Sequence, residues 1–182
     1  IYYALGQYQK AKEAFEKALA LKPNEPEIIY HKLGRCFAQL QDYAKAIESY
    51  KAALQLKEDS DIYAQIGLLY GKLQHFAAAE EHLLRALQVN PANILARHNL
   101  SILYLQQGKK ETLLALLRET EQKYPNPFVY NTLGVLAVQD KKYREAKEYF
   151  QKGIALAPSS SAIARDISKN LVQLNKLEKE IV

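Results

Sequence analysis

One spacing constrains this chain more than any other: a very small residue preceded by an aliphatic one returns every 33 or 34 residues. The pairs are Leu33-Gly34, Ile66-Gly67, Leu100-Ser101, Leu133-Gly134 and Ile167-Ser168. A second series follows every pair but the last. Aromatics at Tyr8, Tyr43, Phe76 and Tyr143 stand three residues before Ala11, Ala46, Ala79 and Ala146. Four residues further on stand Phe15, Tyr50, Leu83 and Phe150, and three beyond those Ala18, Ala53, Ala86 and Gly153. Proline closes most units, at Pro23, Pro91, Pro125 and Pro158, with Glu58 in its place once. Internal spacings of three and four are helical and exclude the alternation of strands. A period this long marks a repeat array, whose units bury their apolar faces only against one another. Glycine inside a helix costs about 0.5–1 kcal/mol relative to alanine. Its return at one place in the period therefore calls for a packing reason: close approach of helices, with the bulky residues filling the space between.

The period predicts two helices per unit, broken near "LQDY", "LQHF", "QGKK" and "QDKKY". Turn and cap chemistry should separate the units at "KPNEPE", "EDSD", "NPAN", "YPNP" and "APSSS". The rest of the composition agrees. Of 182 residues 48% are hydrophobic and 25% charged, a globular mix, and only 7 are glycine and 6 proline. No apolar run approaches the ~18 residues of a membrane span. The chain lacks methionine and opens inside a helical pattern, "IYYALGQY", so it is expected to be part of a longer protein.

These residues resemble the tetratricopeptide-repeat (TPR) family, in the aliphatic-glycine pair, the following aromatic, the two small residues around a bulky one and the closing proline. The resemblance covers the whole chain. It implies an all-α, right-handed superhelical solenoid of antiparallel helix pairs. The domain organisation expected is one array over 1–182: a partial repeat at 1–25, repeats at about 27–59, 60–93, 94–126 and 127–160, and a capping helix at 161–182. Past the cap's own pattern, Leu177, Ile181 and Val182 continue an apolar series that could dock a partner or lead into further chain. One unit departs from the pattern: Lys110 replaces the aromatic, Leu113 the first alanine and Thr120 the second. Its helix pair is expected to pack at a shifted distance or angle.

Little in the chain suggests catalysis or a cofactor. His31, His75, His82 and His98 lack metal-ligand spacing, and neither Cys-x-x-Cys nor His-Glu-x-x-His occurs. Cys36 is the lone cysteine and is placed on a packing face. No glycine-rich phosphate loop appears. The reading is no enzyme, no metal and no cofactor within this chain. The formal net charge is +5, but lysines alternate with acids, as in "KKYREAKEYFQK", so a nucleic-acid stripe is disfavoured.

The resemblance further implies that the first helices of successive units line a concave groove. Three rows should face it, at fixed offsets from each small residue. The first holds His31, Ala64, His98, Asn131 and Arg165; the second Arg35, Leu68, Ile102, Val135 and Lys169; the third Ala38, Gly71, Leu105, Val138 and Val172. Lys72 joins the candidates beside the third row. The centre of these rows is apolar and the ends are basic. The expected function is therefore a non-catalytic scaffold. Its partner would be a peptide or helix with an apolar stripe and acidic flanks. The carboxylate clamp of one TPR subclass is matched only at Asn99. The alternatives are an assembly or regulatory segment of a larger enzyme or complex and, less favoured, an RNA-binding repeat. Homo-oligomers are allowed but not predicted. The sequence carries no compartment signal, and cytoplasm is the default.

Overall fold

The computed structural model describes residues 1–181, apart from the side chains of Glu178, Glu180 and Ile181. The apolar continuation expected at Ile181 and Val182 lies outside what is described. Ten helices and no strand occur among the described residues: α1 Tyr8–Ala20, α2 Pro26–Gln39, α3 Tyr43–Leu56, α4 Ser60–Lys72, α5 Phe76–Val89, α6 Ile94–Gln106, α7 Lys110–Lys123, α8 Pro127–Gln139, α9 Tyr143–Leu156 and α10 Ala162–Ile181. The chain forms two compact units, Ile1–Leu103 and Tyr104–Val182. The division falls inside α6, the first helix of the repeat that departs from the pattern.

In the first unit α2 packs on α3 and α4 on α5, and in the second α8 packs on α9 and α9 on α10. Short turns make each pair antiparallel. The small residues sit where these pairs meet. A Cβ added to Gly34 would lie 2.6 Å from two ring carbons of Tyr50, and one added to Gly67 would lie 2.5 Å from Leu83 Cγ. At Gly134 the clash is with the Phe150 ring. Tyr50, Leu83 and Phe150 are each about 1% exposed. The bulky member of the second series thus fills the space that the missing side chain leaves, and any larger residue at the glycine displaces it.

The turns inside the pairs are built alike. Four helices end on a residue of positive φ, Gln41, Gln74, Gly108 and Lys141, and the turn before α1 has Gly6 in the same conformation. The next amide reaches back five residues, as in Asp42 N–H to Phe37 O at 2.9 Å and Lys142 N–H to Ala137 O at 2.8 Å. This is the Schellman closure, which satisfies carbonyls left open by the helix end. Two of the five turns have glycine at the left-handed position; the others hold glutamine or lysine there, at a conformational cost.

Between pairs the caps predicted from sequence form. Asp59 accepts from the amides of Asp61 and Ile62, Asn126 from those of Phe128 and Val129, and Ser161 Oγ from that of Ala164. Asn93 does more. Its Oδ1 accepts from Ala96 N–H at 2.8 Å, while its Nδ2 donates to Ser60 Oγ and to Asp61 Oδ1, both at 2.7 Å. Ser60 Oγ in turn donates to Ala86 O. "KPNEPE" works differently: Glu25 makes no side-chain cap, and Pro26 opens α2 instead, where its missing N–H costs nothing.

The departing repeat keeps two of its three substituted side chains in the core. Leu113 takes the alanine site and is 1% exposed, and Thr120 is also buried. Lys110 stays at the surface, with Nζ 3.1 Å from Asp140 Oδ1. Cys36 is fully buried, and burial pushes its thiol up, so it is packing material rather than a nucleophile. No group of three or more His, Cys, Asp or Glu side chains among the described residues could hold a metal ion. No described helix is long and apolar enough to cross a membrane.

Candidate functional site

In the first unit the predicted rows keep several side chains out of the core. On α4, Ile62, Ile66 and Leu69 are buried while Leu68 is half-exposed, and Ile102 of α6 is 40% exposed. Arg35 is exposed, and its guanidinium lies 4.6 Å from the centre of the Tyr3 ring. Tyr3 stands 35 residues before Ala38, as Tyr8 does before Tyr43, so it matches the third row, but the partial repeat hid it. Lys72 lies over the ring of Tyr43, with Nζ at 5.2 Å. His31 is half-buried, its ring 5.8 Å from that of Tyr50.

Two row expectations need correction here, and the weak match to a carboxylate clamp finds no support. Ala64 is completely buried, because its single methyl ends below the surface drawn by longer neighbours. Asn99, the one match to a carboxylate clamp, is only 7% exposed and so presents no clamp. The basic end made of His31 and Arg35 reduces at neutral pH to Arg35. Burial pulls the His31 imidazole below its ordinary value, outweighing the opposite effect of Asp59. His98, also half-buried, is lowered by burial as well.

In the second unit Leu105 is 47% exposed and Val172 is 56% exposed. Val135 and Val138 are half-buried on α8, beside fully packed Leu133, Gly134, Leu136 and Ala137. Asn131 Oδ1 accepts a hydrogen bond from Asn170 Nδ2 at 2.9 Å. Arg165 and Lys169 are exposed on α10. Arg165 donates to Ser160 O, and Lys169 Nζ stands 3.9 Å from Asp166.

Between α8 and α10, Val135, Val138 and Asn170 border a cleft of about 190 Å³. Its walls are Val135, Val138, Gln139, Asn170, Gln173 and Leu177, over Phe150 and Leu174. No carboxylate and no cation is among the lining side chains. Of the α10 residues in this cleft, Asn170, Gln173 and Leu174 lie off the three row offsets read from sequence. Helical neighbours three and four residues from Lys169 include Gln173, and extending the rows that way would have found it.

Models of one family match the chain, each described as a tetratricopeptide repeat, over residues 1–61, 60–93 and 127–160. The chain belongs to the tetratricopeptide-repeat family. Among curated proteins it is 26% identical, over 156 residues, to TPR repeat-containing protein MJ1428 of Methanocaldococcus jannaschii, covering 86% of this chain and 22% of that protein. It is 32% identical, over 153 residues, to Protein O-mannosyl-transferase TMTC3 of Mus musculus, covering 81% of this chain and 16% of that protein. The chain thus spans roughly a fifth of the length of these curated relatives. Among solved structures it resembles YrrB, described as a TPR protein with an unusual peptide-binding site. The TM-score is 0.61 at 22% identity, over 92% of this chain and 87% of that one. That likeness shows the fold.

Proposed function

We propose that the chain is a scaffold segment that holds a protein or peptide partner against the exposed rows of its first helices and catalyses nothing itself. One observation carries this: aliphatic side chains at the row positions, Leu68 and Ile102 in the first unit and Leu105, Val135 and Val138 in the second, stay partly in solvent beside fully packed neighbours. Apolar area left at a surface in register with a repeat is what an interaction face requires. The peptide-binding site attributed to YrrB supports the same reading. Acidic flanks on the partner are favoured by Arg35, Arg165 and Lys169, which lie exposed at the row ends.

The test is selection of peptides on the chain from a displayed library, followed by binding to Leu68→Asp/Ile102→Asp and to Val135→Asp/Val138→Asp. Binders should be lost from at least one double variant whose helicity is intact. Undiminished binding to both would refute the scaffold face.

A second reading, a regulatory or assembly segment within a larger enzyme, is favoured by one fact. The matched portion is 16% of a relative named as a mannosyl-transferase. A catalytic domain found on the full-length chain would establish it, and would leave the binding face to act on behalf of that domain.

A further inference from the structure

We propose that the cleft between α8 and α10 seats one face of an amphipathic, acidic partner helix; this rests on the scaffold reading and narrows it. The cleft has an aliphatic rim, Val135, Val138 and Leu177, and amide walls from Gln139, Asn170 and Gln173. It contains no charge, so what enters it is neutral, with aliphatic groups against the rim. Its border is different. Lys169 and Lys176 are helical neighbours of Gln173, four residues before and three after, and Arg165 stands one turn before Lys169. All three cations are exposed, as is Val172 between them. Asp166 stands 3.9 Å from Lys169 Nζ. An exposed pair that long offsets little of the lysine's field. An apolar slot bordered by cations is complementary to aliphatic residues bordered by acids.

The spacing of the cations selects a helix. Along α10 they stand about 6 Å and then about 10 Å apart, at a rise of ~1.5 Å per residue. A partner helix lying alongside has the same rise, so acids at positions i, i+4 and i+11 meet all three. An extended segment advances ~3.3 Å per residue and alternates its faces. Steps of about 6 and 10 Å correspond to two and then three of its residues, which turns the last side chain away. RNA is disfavoured by the floor: Phe150 is 1% exposed, so its ring offers no stacking platform.

The experiment uses the whole chain and a designed helical peptide as probe, with leucines on one seam and glutamates at i, i+4 and i+11. Fluorescence anisotropy at low salt compares it with a peptide of the same seam carrying lysines at those positions. The glutamate peptide should bind about tenfold or more tightly than the lysine peptide. Lys169→Glu/Lys176→Glu should reverse that preference, and Val138→Asp should weaken both peptides, with circular dichroism showing intact helicity in each variant. Equal binding of the two peptides, or a preference unmoved by the charge reversal, overturns the proposal. So does undiminished binding when proline is placed in mid-peptide, which would make the occupant extended. Self-association that occupies the cleft and is abolished by Val138→Asp would also overturn it, by making the occupant a second copy. If library peptides bind through Leu68 and Ile102 while the designed helix does not bind, this inference alone fails. If neither binds, the scaffold reading fails with it.

Discussion

Gly67 and Gly71 lie one turn apart on α4 and have opposite surroundings. A Cβ on Gly67 would lie 2.5 Å from Leu83 Cγ and 3.1 Å from Ala79 O, whereas one on Gly71 would meet nothing within 4 Å. One glycine lets α4 approach α5. The other lies on a predicted row and leaves open space where a side chain would be. Within a single helix, then, two residues of one type separate the surface that builds the repeat from the surface left over for something else. The repeat period alone does not make that separation; only the partner across the gap does.

The largest effect should come from filling the built side. Gly67→Leu, and Gly34→Leu against Tyr50, should each lose about 1–3 kcal/mol by overpacking, measured by urea denaturation. Gly71→Leu should cost far less, and equal losses at both positions would break the comparison. Next comes the junction between pairs. Asn93→Ala removes a cap and leaves Ser60 and Asp61 without their donor, at about 1–3 kcal/mol. Asn93→Asp should retain part of this, since its carboxylate still caps Ala96. On the open side the sign reverses: Gly71→Ala should gain up to about 0.5–1 kcal/mol of helix stability. A similar or smaller gain is expected from Gln74→Gly, which relieves a side chain at φ 60°; left-handed geometry costs a non-glycine residue about 1–2 kcal/mol, less the entropy that glycine loses on folding.

The half-buried row between these two sides is read by pH. The His31 ring lies tilted against the Tyr50 ring that closes over Gly34, with centres 5.8 Å apart. Burial lowers the folded values of His31 and His98 from 6.5. Below that value the unfolded chain takes up protons that the folded chain refuses, so the stability present above it is lost as pH falls through the lowered values. Melting temperatures measured between about pH 7.5 and 5 should fall, and the histidine contribution to that fall should vanish in His31→Gln/His98→Gln. An identical pH slope in the variant would place both rings in water.

Much of the fold could be read before the structure because its determinants are local. Helix breaks are written in "LQDY", "LQHF", "QGKK" and "QDKKY", and caps as Asp59, Asn93, Asn126 and Ser161. The site was legible only in part. Row offsets identify Leu68, Ile102, Val135 and Val138 as residues outside the core, since a helix face follows from period alone. They cannot show that Ala64 is too short to reach the surface, or that Arg35 rests on Tyr3. Nor do they reveal that Asn170 reaches Asn131. Those depend on side-chain length and on the second helix across the gap, neither of which has a period.

The paired small and bulky residues have a kinetic consequence. Gly34 and Tyr50, Gly67 and Leu83, Gly134 and Phe150 are each separated by sixteen positions in the chain. The tightest packing in each hairpin therefore closes a short loop, at low entropic cost and without waiting for distant segments. Bridges between hairpins, such as Asn93 to Ser60, span about twice that distance. Hairpins that can close by themselves offer several independent starting points for folding, with growth by addition of neighbours. A lesion at one glycine should thus slow nucleation in its own hairpin and leave the others free to begin.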